Sequence, residues 1–449
     1  MSLPKVLILN QPFNNDTGGG ITLTNLFAGW ERDKLAVACS GHLLRDNIDT
    51  KVCNTYYQLG NKEHKWSFPF NFIQGKYYSG LLKFNEKRIQ NLTIAKSKFR
   101  VKIIKGFFYP LLEYTGLFHF IYKTELSEDF RAWLNDFNPD VIYAQAASRD
   151  DILFCLSVHS YLKKPLIFHM MDDWPSTIST KGLLKKFWEK KIDHEFRILL
   201  DSANVLLSIS DFMACEYKMR YGKNFITFHN PINVEFWQKY QRNNYELRKS
   251  PTILYAGRIG LGIETSLELI AKAIEIVNKE LNISIRFCLQ TQKKPLWINN
   301  YKCVIHNNFV SYNDLPKTFS EADLLLLPYD FSPIAVKYIR YSMPTKAPEY
   351  MISGTPIIVF APEVTAIVKY AKKNAWAKVV TENNMTQIAK SIKHLIENKE
   401  LREHIAQNAL KIVKENHNSI IVTNHFKEVI LSLCDNISPV SSRTKSLWH

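Results

Sequence analysis

Residues 253–262 indicate the fold most clearly, because ILYA is followed there directly by GRIGLG. Four apolar residues suffice for a short buried strand, and after the glycines apolar residues recur at helical spacing over residues 267–277. The same order occurs earlier in the chain, where VLIL at 6–9 leads to TGGG at 17–20 and then to an apolar run at 21–30. A strand, a glycine turn and a helix, present twice, predict two α/β halves of the nucleotide-binding type.

Apolar runs without polar alternation continue along both halves, which is typical of parallel strands covered on both faces. They lie at residues 141–143, 166–168, 205–209, 283–289, 324–327 and 356–359, with helical patterns at 129–137, 151–160 and 185–200. We predict an N-terminal domain at 1–240 and a second domain at 241–415, joined by the polar stretch 238–250. A helix at 416–435 is expected to pack back toward the N-terminal domain, and 436–449 to form a loose tail.

The composition is that of a globular protein with a strongly basic balance. Of 449 residues, 46% are hydrophobic and 22% charged, and 58 Lys and Arg against 42 Asp and Glu give a net charge of +16. That charge suits polyanions such as phosphates, nucleic acid or an anionic membrane surface. Seven cysteines without a CxxC pair predict free thiols in a reducing, cytoplasmic environment. No His, Asp or Glu cluster has metal-ligand spacing, so no metal site is predicted.

The excess charge is concentrated in residues 62–105, which hold eleven Lys and Arg and two Glu, a net of +9 from 11 − 2. Within them KFRVKI at 98–103 alternates strictly and predicts a strand with one basic face. An aromatic stretch follows at 106–122. Basic residues beside aromatic rings favour an anionic membrane contact through residues 62–122, and a solvated basic face beside a small core is the alternative. Because the charge is not spread along a recognition helix or groove, nucleic-acid binding is ranked low.

Several residues have the right chemistry for an anionic ligand. Gly18, Gly19 and Gly20 open a helix, whose free N–H groups and positive dipole end favour anions. Arg258 directly follows a strand, where it could clamp a phosphate or equally well form an interdomain salt bridge. In PTKAPEYMISGTPIIV at 344–359, Lys346 and Glu349 share a first helical turn. They offer a cation for phosphate and an acceptor for ribose hydroxyls, although the helix dipole alone would explain Glu349.

The string FHMMDDWP at 168–175 is the candidate for the acceptor side. Asp172 or Asp173 could orient or deprotonate an acceptor hydroxyl, with His169 at the end of the preceding strand. Trp174 could stack on a sugar ring. The alternative is a capping aspartate and a core tryptophan, and the two adjacent aspartates do not form a DxD metal motif.

Residues 344–359, together with YAGR at 255–258 and ADLLLLP at 322–328, resemble the C-terminal half of a GT-B fold glycosyltransferase of the family-4 type (glycosyl transferases group 1). The N-terminal half agrees through the glycine turn, PDVI at 139–142, SISDFM at 208–213 and FHNPIN at 228–233. The resemblance implies two facing Rossmann-like domains with parallel sheets and a cleft between them. It also implies a nucleotide-sugar donor held mainly by the C-terminal domain, retention at the anomeric carbon and no obligatory metal or other cofactor.

The resemblance also assigns positions to this chain. It implies Arg258 and Lys346 at the donor diphosphate, Glu349 at the ribose and Val310 beside the base. The helix start at Ser332 would offer N–H groups to the donor, and the glycine turn would approach the diphosphate from the other domain.

This chain departs from the family pattern at two places in the C-terminal half. Many relatives have a glutamate eight positions before the second one, where this chain has Tyr341, and a second cation shortly after the arginine, where 259–264 contain no lysine. Lys346, Lys337 or Arg340 is the suggested replacement for that cation.

The leading hypothesis is a cytoplasmic glycosyltransferase that works at the inner membrane face. It would move a sugar from a nucleotide-sugar donor to a glycan or lipid-linked acceptor in bacterial surface polysaccharide synthesis. The alternative is a non-catalytic GT-B subunit that binds glycan or lipid and supports a partner enzyme, which the two departures motivate.

Overall fold

A computed structural model describes residues 2–44, 48–68, 70–72, 74–82, 106, 109–177, 182–260 and 262–434. The chain forms two compact units. The first contains the chain up to Ser208, Ala214–Phe228 and the part from Thr423 onward, and the second contains Ile209–Met213 and His229–Val422. Each unit is built around its own largely parallel sheet, which confirms the predicted α/β class.

The sheet of the first unit has eight strands in the order β10-β9-β8-β7-β1-β2-β3-β5. All neighbours pair in parallel except β5, which is antiparallel to β3. The strands are β1 (Val6–Leu9), β2 (Leu35–Ser40), β3 (Tyr56–Leu59), β5 (Gly80–Leu81), β7 (Val141–Ala144), β8 (Leu166–Met170), β9 (Val205–Ser208) and β10 (Ile226–Thr227). The order departs from the chain order at β1, so that β1 lies between β2 and β7 and the connections leave in opposite directions. At such a switch point the strand ends of a parallel sheet bind ligands.

Helices connect these strands, and a short ribbon is added to them. The helices are α1 (Gly18–Leu26), α2 (Tyr109–Thr115), α3 (Phe118–Ile121), α4 (Glu128–Phe137), α5 (Arg149–Leu162), α6 (Lys185–Ser202) and α7 (Asp211–Tyr221). Strands β4 (His64–Trp66) and β6 (Tyr122–Thr124) pair antiparallel. The predicted aromatic stretch therefore forms two short helices that lead into β6, whereas the strand predicted at 98–103 lies outside the described residues.

The sheet of the second unit has six parallel strands in the order β13-β12-β11-β14-β15-β16. They are β11 (Thr252–Ala256), β12 (Arg286–Gln290), β13 (Val304–Asn307), β14 (Leu324–Pro328), β15 (Ile357–Phe360) and β16 (Lys378–Val380). The helices are α8 (Val234–Gln238), α9 (Glu264–Leu281), α10 (Leu315–Glu321), α11 (Pro333–Ile339), α12 (Lys346–Ile352), α13 (Ala366–Asn374), α14 (Met385–Glu397), α15 (Lys399–Asn416) and α16 (Ser419–Cys434), whose last twelve residues belong to the first unit.

The core of the second unit follows from its sequence pattern. Every residue of β11 and β14 is buried, as expected for central strands without polar alternation. The apolar face that the sequence predicts on α9, with Leu267, Ile270, Ile274 and Val277, packs into the same core. Strand β11 lies next to β14, so the topological switch of this sheet is also at the strand that ends in the glycine turn.

The predicted linker at 238–250 is wrong, because the second unit already begins at His229. This polar stretch is fastened to the second unit through Asp323, which lies buried before β14. The Arg242 and Arg248 guanidinium groups lie 3.2 and 3.0 Å from its carboxylate oxygens. The backbone N–H of Thr252 donates to the same carboxylate at 2.8 Å. Polar residues here mark a buried charge network and not a flexible connection.

Two further sequence expectations concern thiols and membrane spans. All seven cysteines are free thiols, as predicted, and Cys39, Cys53, Cys155 and Cys303 are buried. In the part of the chain that the structure describes, none of the helices combines the length and apolar character needed to cross a bilayer.

Candidate active site

The glycine after β11 brings a lysine close to the end of the strand. A Cβ atom on Gly257 would lie 2.9 Å from the Lys346 Nζ and 2.5 Å from the Tyr255 hydroxyl oxygen, closer than real Cβ contacts occur. The Tyr255 hydroxyl donates to the Arg258 carbonyl oxygen at 2.6 Å. The absence of a Cβ at Gly257 therefore leaves room for Lys346 and Tyr255 beside the main chain directly before Arg258.

Helix α12 is positioned against the same strand end by two hydrogen bonds. The Tyr350 hydroxyl accepts a bond from the Ala256 N–H at 2.9 Å, and the Asn230 side-chain amide donates to the Thr345 carbonyl at 3.2 Å. The helix ends at Ile352, before Gly354, whose φ of +73° is the left-handed conformation in which glycine commonly ends a helix. These contacts fix the first turn of α12, which carries Lys346 and Glu349, at the carboxyl edge of the sheet.

The charges of this first turn are only partly compensated. Burial lowers the pKa of Lys346 and the Arg258 charge lowers it further, while Glu349 opposes both. Burial raises the pKa of Glu349 to about 7, against the effect of Lys346. Among the described residues, neither side chain forms a hydrogen bond or an ion pair within 4.0 Å. Half-buried groups with shifted pKa values at a sheet edge are typical of ligand-binding sites.

Ser332 caps the helix that follows β14. Its hydroxyl accepts a bond from the Ala335 N–H at 3.2 Å and so starts α11. Asp330, just before it, accepts from the Ser266 N–H at 2.8 Å and donates its own N–H to the Gly262 carbonyl at 2.8 Å. The helix start that carries Ser332 is thereby tied to the loop that follows Arg258.

Val310 follows β13 and is 37% exposed, and its place beside the base stays a prediction. Its neighbour Tyr312, which the sequence pattern does not single out, stacks its ring on Phe236 with centroids 5.3 Å apart and planes 3° apart. Burial and, second, the Glu349 charge raise the pKa of Tyr312 to about 12. The proximity of Tyr312 to Glu349, the candidate ribose acceptor, would have identified it, but the two residues are far apart in the sequence.

Two positions depart from the family pattern: Tyr341 replaces a glutamate, and the second cation after Arg258 is absent. The structure shows the surroundings of Tyr341 and of the three suggested replacement cations. Tyr341 is 2% exposed; its ring lies 5.3 Å from that of Phe212, and its carbonyl accepts from the Ser210 hydroxyl at 2.9 Å. A packed aromatic ring thus stands where many relatives have a carboxylate. Of the three suggested replacement cations, Lys346 is beside Gly257, whereas Lys337 and Arg340 are exposed on and after α11.

In the first unit, the glycine turn is itself the first turn of α1. The Thr17 hydroxyl caps the helix by accepting from the Gly20 N–H at 3.2 Å, while Gly18 and Gly19 begin it. A Cβ on Gly20 would fall within 2.2 Å of the Asn14 amide. The glycine therefore has a packing reason, and the N–H groups of Gly18 and Gly19 have no partner within the helix.

Two of the three predicted acceptor-side residues are buried within the first unit. His169 lies inside β8 with no exposed surface; its Nδ1 hydrogen-bonds the Tyr143 hydroxyl at 2.6 Å, and burial lowers its pKa to about 3. Asp173 is 4% exposed and binds Arg220 at 2.9 Å, the Tyr217 hydroxyl at 2.7 Å and the Ser176 hydroxyl at 2.6 Å. A substrate could reach Asp173 only by displacing these partners, so its catalytic assignment is corrected. The Nε2 of buried His169 has no hydrogen-bond partner among the described residues, and its catalytic role stays a prediction.

The predicted stacking role of Trp174 is corrected as well, since its ring is 6% exposed and packs on Phe196 at 5.4 Å. Asp172 is exposed and remains the candidate of this string. Asp150, at the start of α5 after β7, is a further candidate that the sequence pattern does not single out. Burial raises its pKa to about 7, and its Oδ1 is buried without a hydrogen-bond partner among the described residues. Its position behind a strand end was the available signal.

The described residues contain no group of three or more His, Cys, Asp or Glu side chains arranged to hold a metal ion. No curated protein sequence matches the chain. Residues 238–412 match the family model "Glycosyl transferases group 1". This match covers the whole second-unit sheet, with Arg258, Lys346 and Glu349.

Similar solved structures include HepE of Anabaena in complex with UDP and glucose, at 12% identity and a TM-score of 0.55, covering 96% of this chain and all of HepE. Sucrose-phosphate synthase of Thermosynechococcus elongatus is similar at 11% identity and a TM-score of 0.58, covering 95% of this chain and 98% of the synthase. A putative UDP-N-acetylglucosamine 2-epimerase of Listeria monocytogenes shares the fold at 12% identity and a TM-score of 0.52, covering 97% and 98%.

These structures establish the fold, and the family match separates transfer from other reactions on that fold. The chain has the GT-B fold, and its residues 238–412 match the glycosyl transferases group 1 family, which supports glycosyl transfer as its activity.

Proposed function

We propose that the protein transfers a sugar from a nucleotide-sugar donor to a glycan or lipid-linked acceptor, with retention at the anomeric carbon and without an obligatory metal. The observation that carries this proposal is the first turn of α12, where Lys346 and Glu349 lie with Arg258 at one sheet edge. A UDP-sugar is the first donor to test, because the similar HepE structure contains UDP and glucose. Bacterial surface polysaccharide synthesis is the proposed setting.

The cations of this site would stabilise the leaving diphosphate. Transfer of the sugar leaves negative charge on the nucleoside diphosphate, and fixed cations lower the barrier when they face that charge. The lowered pKa of Lys346 reflects burial and the neighbouring Arg258. A bound diphosphate would oppose both causes and favour the ammonium form, so donor binding itself would complete the charge of the site.

Glu349 would accept hydrogen bonds from the ribose hydroxyls. Its carboxyl has a pKa of about 7 in the unliganded protein, so it is partly neutral there. Two hydroxyl donors would stabilise the carboxylate form. Val310 and Tyr312 would border the base, and the helix start at Ser332 would provide N–H groups to the donor.

The acceptor side depends on fewer residues than the sequence predicted. Asp172 is the exposed member of its string, and we propose that it orients the acceptor hydroxyl. Gly18–Gly20 keeps its proposed role toward anions, since α1 begins there.

The test begins with thermal shift of the purified chain with UDP, GDP and ADP, because a ligand at 100 times its Kd stabilises by ~2.7 kcal/mol. The preferred nucleotide then selects the donors for transfer assays with isolated membranes as acceptor. Arg258→Ala should abolish both signals. Arg286→Ala is the matched control. Arg286 is an exposed arginine at the N-terminal end of β12, whereas Arg258 follows the C-terminal end of the neighbouring strand β11. Equal turnover by Arg258→Ala and the control would refute the site.

The second candidate function is a non-catalytic GT-B subunit that binds glycan or lipid. The buried Tyr341 in place of a carboxylate favours it. It predicts no shift with any of the three nucleotides and no turnover, so the same screen separates the two candidates.

A further inference from the structure

An apolar surface that the donor site does not use lies on the first unit. Six large apolar side chains from α2, α3, the segment between these two helices and the start of α6 are 44–74% exposed. We call them the apolar platform: Leu111, Tyr114, Leu117, Phe120, Leu183 and Phe187. Clusters of this kind on a globular protein usually mark an interaction site.

Backbone and ring contacts connect four of the six platform residues in two pairs. The Leu183 N–H donates to the Tyr114 carbonyl at 2.9 Å. The Phe120 ring stacks on Phe187 with centroids 6.1 Å apart and meets the buried Trp188 at 4.7 Å. Gly116, at φ +72°, allows this approach, since a Cβ there would lie 2.9 Å from the Leu184 Cβ.

Lysines accompany the apolar platform. The first two turns of α6 carry Lys185, Lys186, Lys190 and Lys191, with Glu189 as the acid among them. Lys191 lies over the Phe187 ring at 5.9 Å. The surface therefore combines exposed apolar side chains with a net positive charge of three at the start of α6, from four lysines minus one glutamate.

We propose that the apolar platform and these lysines dock the protein on an anionic lipid surface. Rings and leucines would enter the boundary between head groups and acyl chains, and the lysines would contact anionic head groups. A second copy of this chain fits less well, because a symmetric dimer would place lysines against lysines. The proposal moves the lipid contact predicted for 62–122 to a surface completed by residues 183–191. That an acceptor is met at this surface rests on the proposed transferase function, whereas lipid binding does not.

The experiment is flotation of the full chain with two kinds of vesicle. One kind contains phosphatidylcholine alone, and the other contains phosphatidylcholine with roughly 30% of the anionic lipid phosphatidylglycerol. Wild-type protein should float with the anionic vesicles only, and less so as salt is raised. Leu183→Glu/Phe187→Glu should reduce binding at least roughly tenfold, since it removes apolar burial and adds negative charge. Lys185→Gln/Lys186→Gln should weaken it roughly fivefold per lysine. Ile420→Glu, a 62% exposed residue of the second unit, is the matched control.

Unchanged flotation of Leu183→Glu/Phe187→Glu, or failure of the wild type to bind anionic vesicles at low salt, would overturn the proposal. A dimer in light scattering that Leu183→Glu/Phe187→Glu dissociates, without vesicle binding, would assign the platform to a second copy instead. The UDP thermal shift is measured on every variant. It should stay at the wild-type value, so a failed lipid contact and a failed donor site give different results.

Discussion

Two charged clusters, one in each unit, contain similar types of residue but differ in how completely the protein pairs their charges. In the first unit, Asp173 is enclosed by Arg220, Tyr217 and Ser176, with polar contacts of 2.6–2.9 Å. In the second unit, Lys346 and Glu349 lie half-buried in one turn, and both have pKa values shifted toward their neutral forms. The first cluster satisfies its own charge, whereas the second carries charge that the protein does not satisfy.

The difference separates a structural ion pair from a binding site. A buried pair with complete hydrogen bonding cannot offer its atoms to a ligand without losing the bonds it has. A half-buried ammonium without an ion-pair partner gains an interaction when an anion binds. Residue type alone marked Asp173 and Lys346 equally as site candidates, and only their partners distinguish them.

The largest expected effect comes from breaking the satisfied cluster. Asp173→Asn should lower the free energy of unfolding by about 3 kcal/mol, because the Tyr217 and Ser176 hydroxyls lose a charged acceptor and Arg220 keeps only Glu216, at 2.9 Å, as an ionic partner. Chemical denaturation would measure this. Asp193→Asn is the control, since its pair with Arg197 at 2.8 Å is exposed and should contribute less than ~1 kcal/mol. A stable Asp173→Asn protein that has lost transfer activity would restore the catalytic assignment of Asp173.

Lys346→Ala should have its effect on ligand binding and little on folding. We expect roughly 100-fold weaker nucleoside diphosphate binding, because one of two cations facing the diphosphate is lost. Calorimetric titration with the nucleotide from the thermal-shift screen would measure it. Lys279→Ala is the control, because it removes the same charge from an exposed position in the last turn of α9. Equal Kd values for the two variants would contradict the role of Lys346.

How much the sequence predicted depends on how local the determining interactions are. The two strand–glycine–helix starts, the parallel strands and the helices at 129–137, 151–160 and 185–200 are local patterns, and the structure confirms them. Lys346 and Glu349 of α12 could be identified for the same reason, because the residues that start and end this short helix lie close together in the sequence. The helix predicted at 21–30 begins earlier, at Gly18, since Thr17 supplies the cap.

The failures all involve partners distant in sequence. Asp323 turned the predicted linker into part of the second unit from more than 70 residues away. Asp173 is satisfied by Arg220, and Trp174 is covered by Phe196, neither of which is adjacent in sequence. The lysine that approaches Arg258 also came from another element, which is why the sequence left Lys346, Lys337 and Arg340 as alternatives.

Glu349→Gln tests the difference between the two clusters through the pH dependence of the free energy of unfolding. In the folded protein Glu349 has a pKa of about 7, above the 4.5 of an unperturbed glutamate, so folding favours its protonated form. Its contribution to stability is therefore complete below pH 4.5 and is lost as the pH rises to 7. The loss is about 2 kcal/mol, allowing for partial exposure.

Denaturation curves at pH 4.5, 6 and 8 would measure this loss as the wild type minus Glu349→Gln difference. That difference should fall over the window and be flat above pH 7.5. A difference that rises with pH would mean that the folded protein favours the carboxylate, and the unsatisfied charge assigned to this cluster would be wrong.

The smallest effect is expected at Ser332, where a cap and a ligand contact make different predictions. Ser332→Ala removes the bond to the Ala335 N–H and should cost ~1 kcal/mol of stability, like Asn398→Ala, which removes the 2.7 Å cap of α15. The two variants should therefore match in denaturation. If the α11 start also binds the donor, only Ser332→Ala should raise the KM for the nucleotide-sugar, because loosening the first turn moves N–H groups that face it. Equal KM values would leave Ser332 as a cap alone, and the second cluster would then consist of Arg258, Lys346 and Glu349.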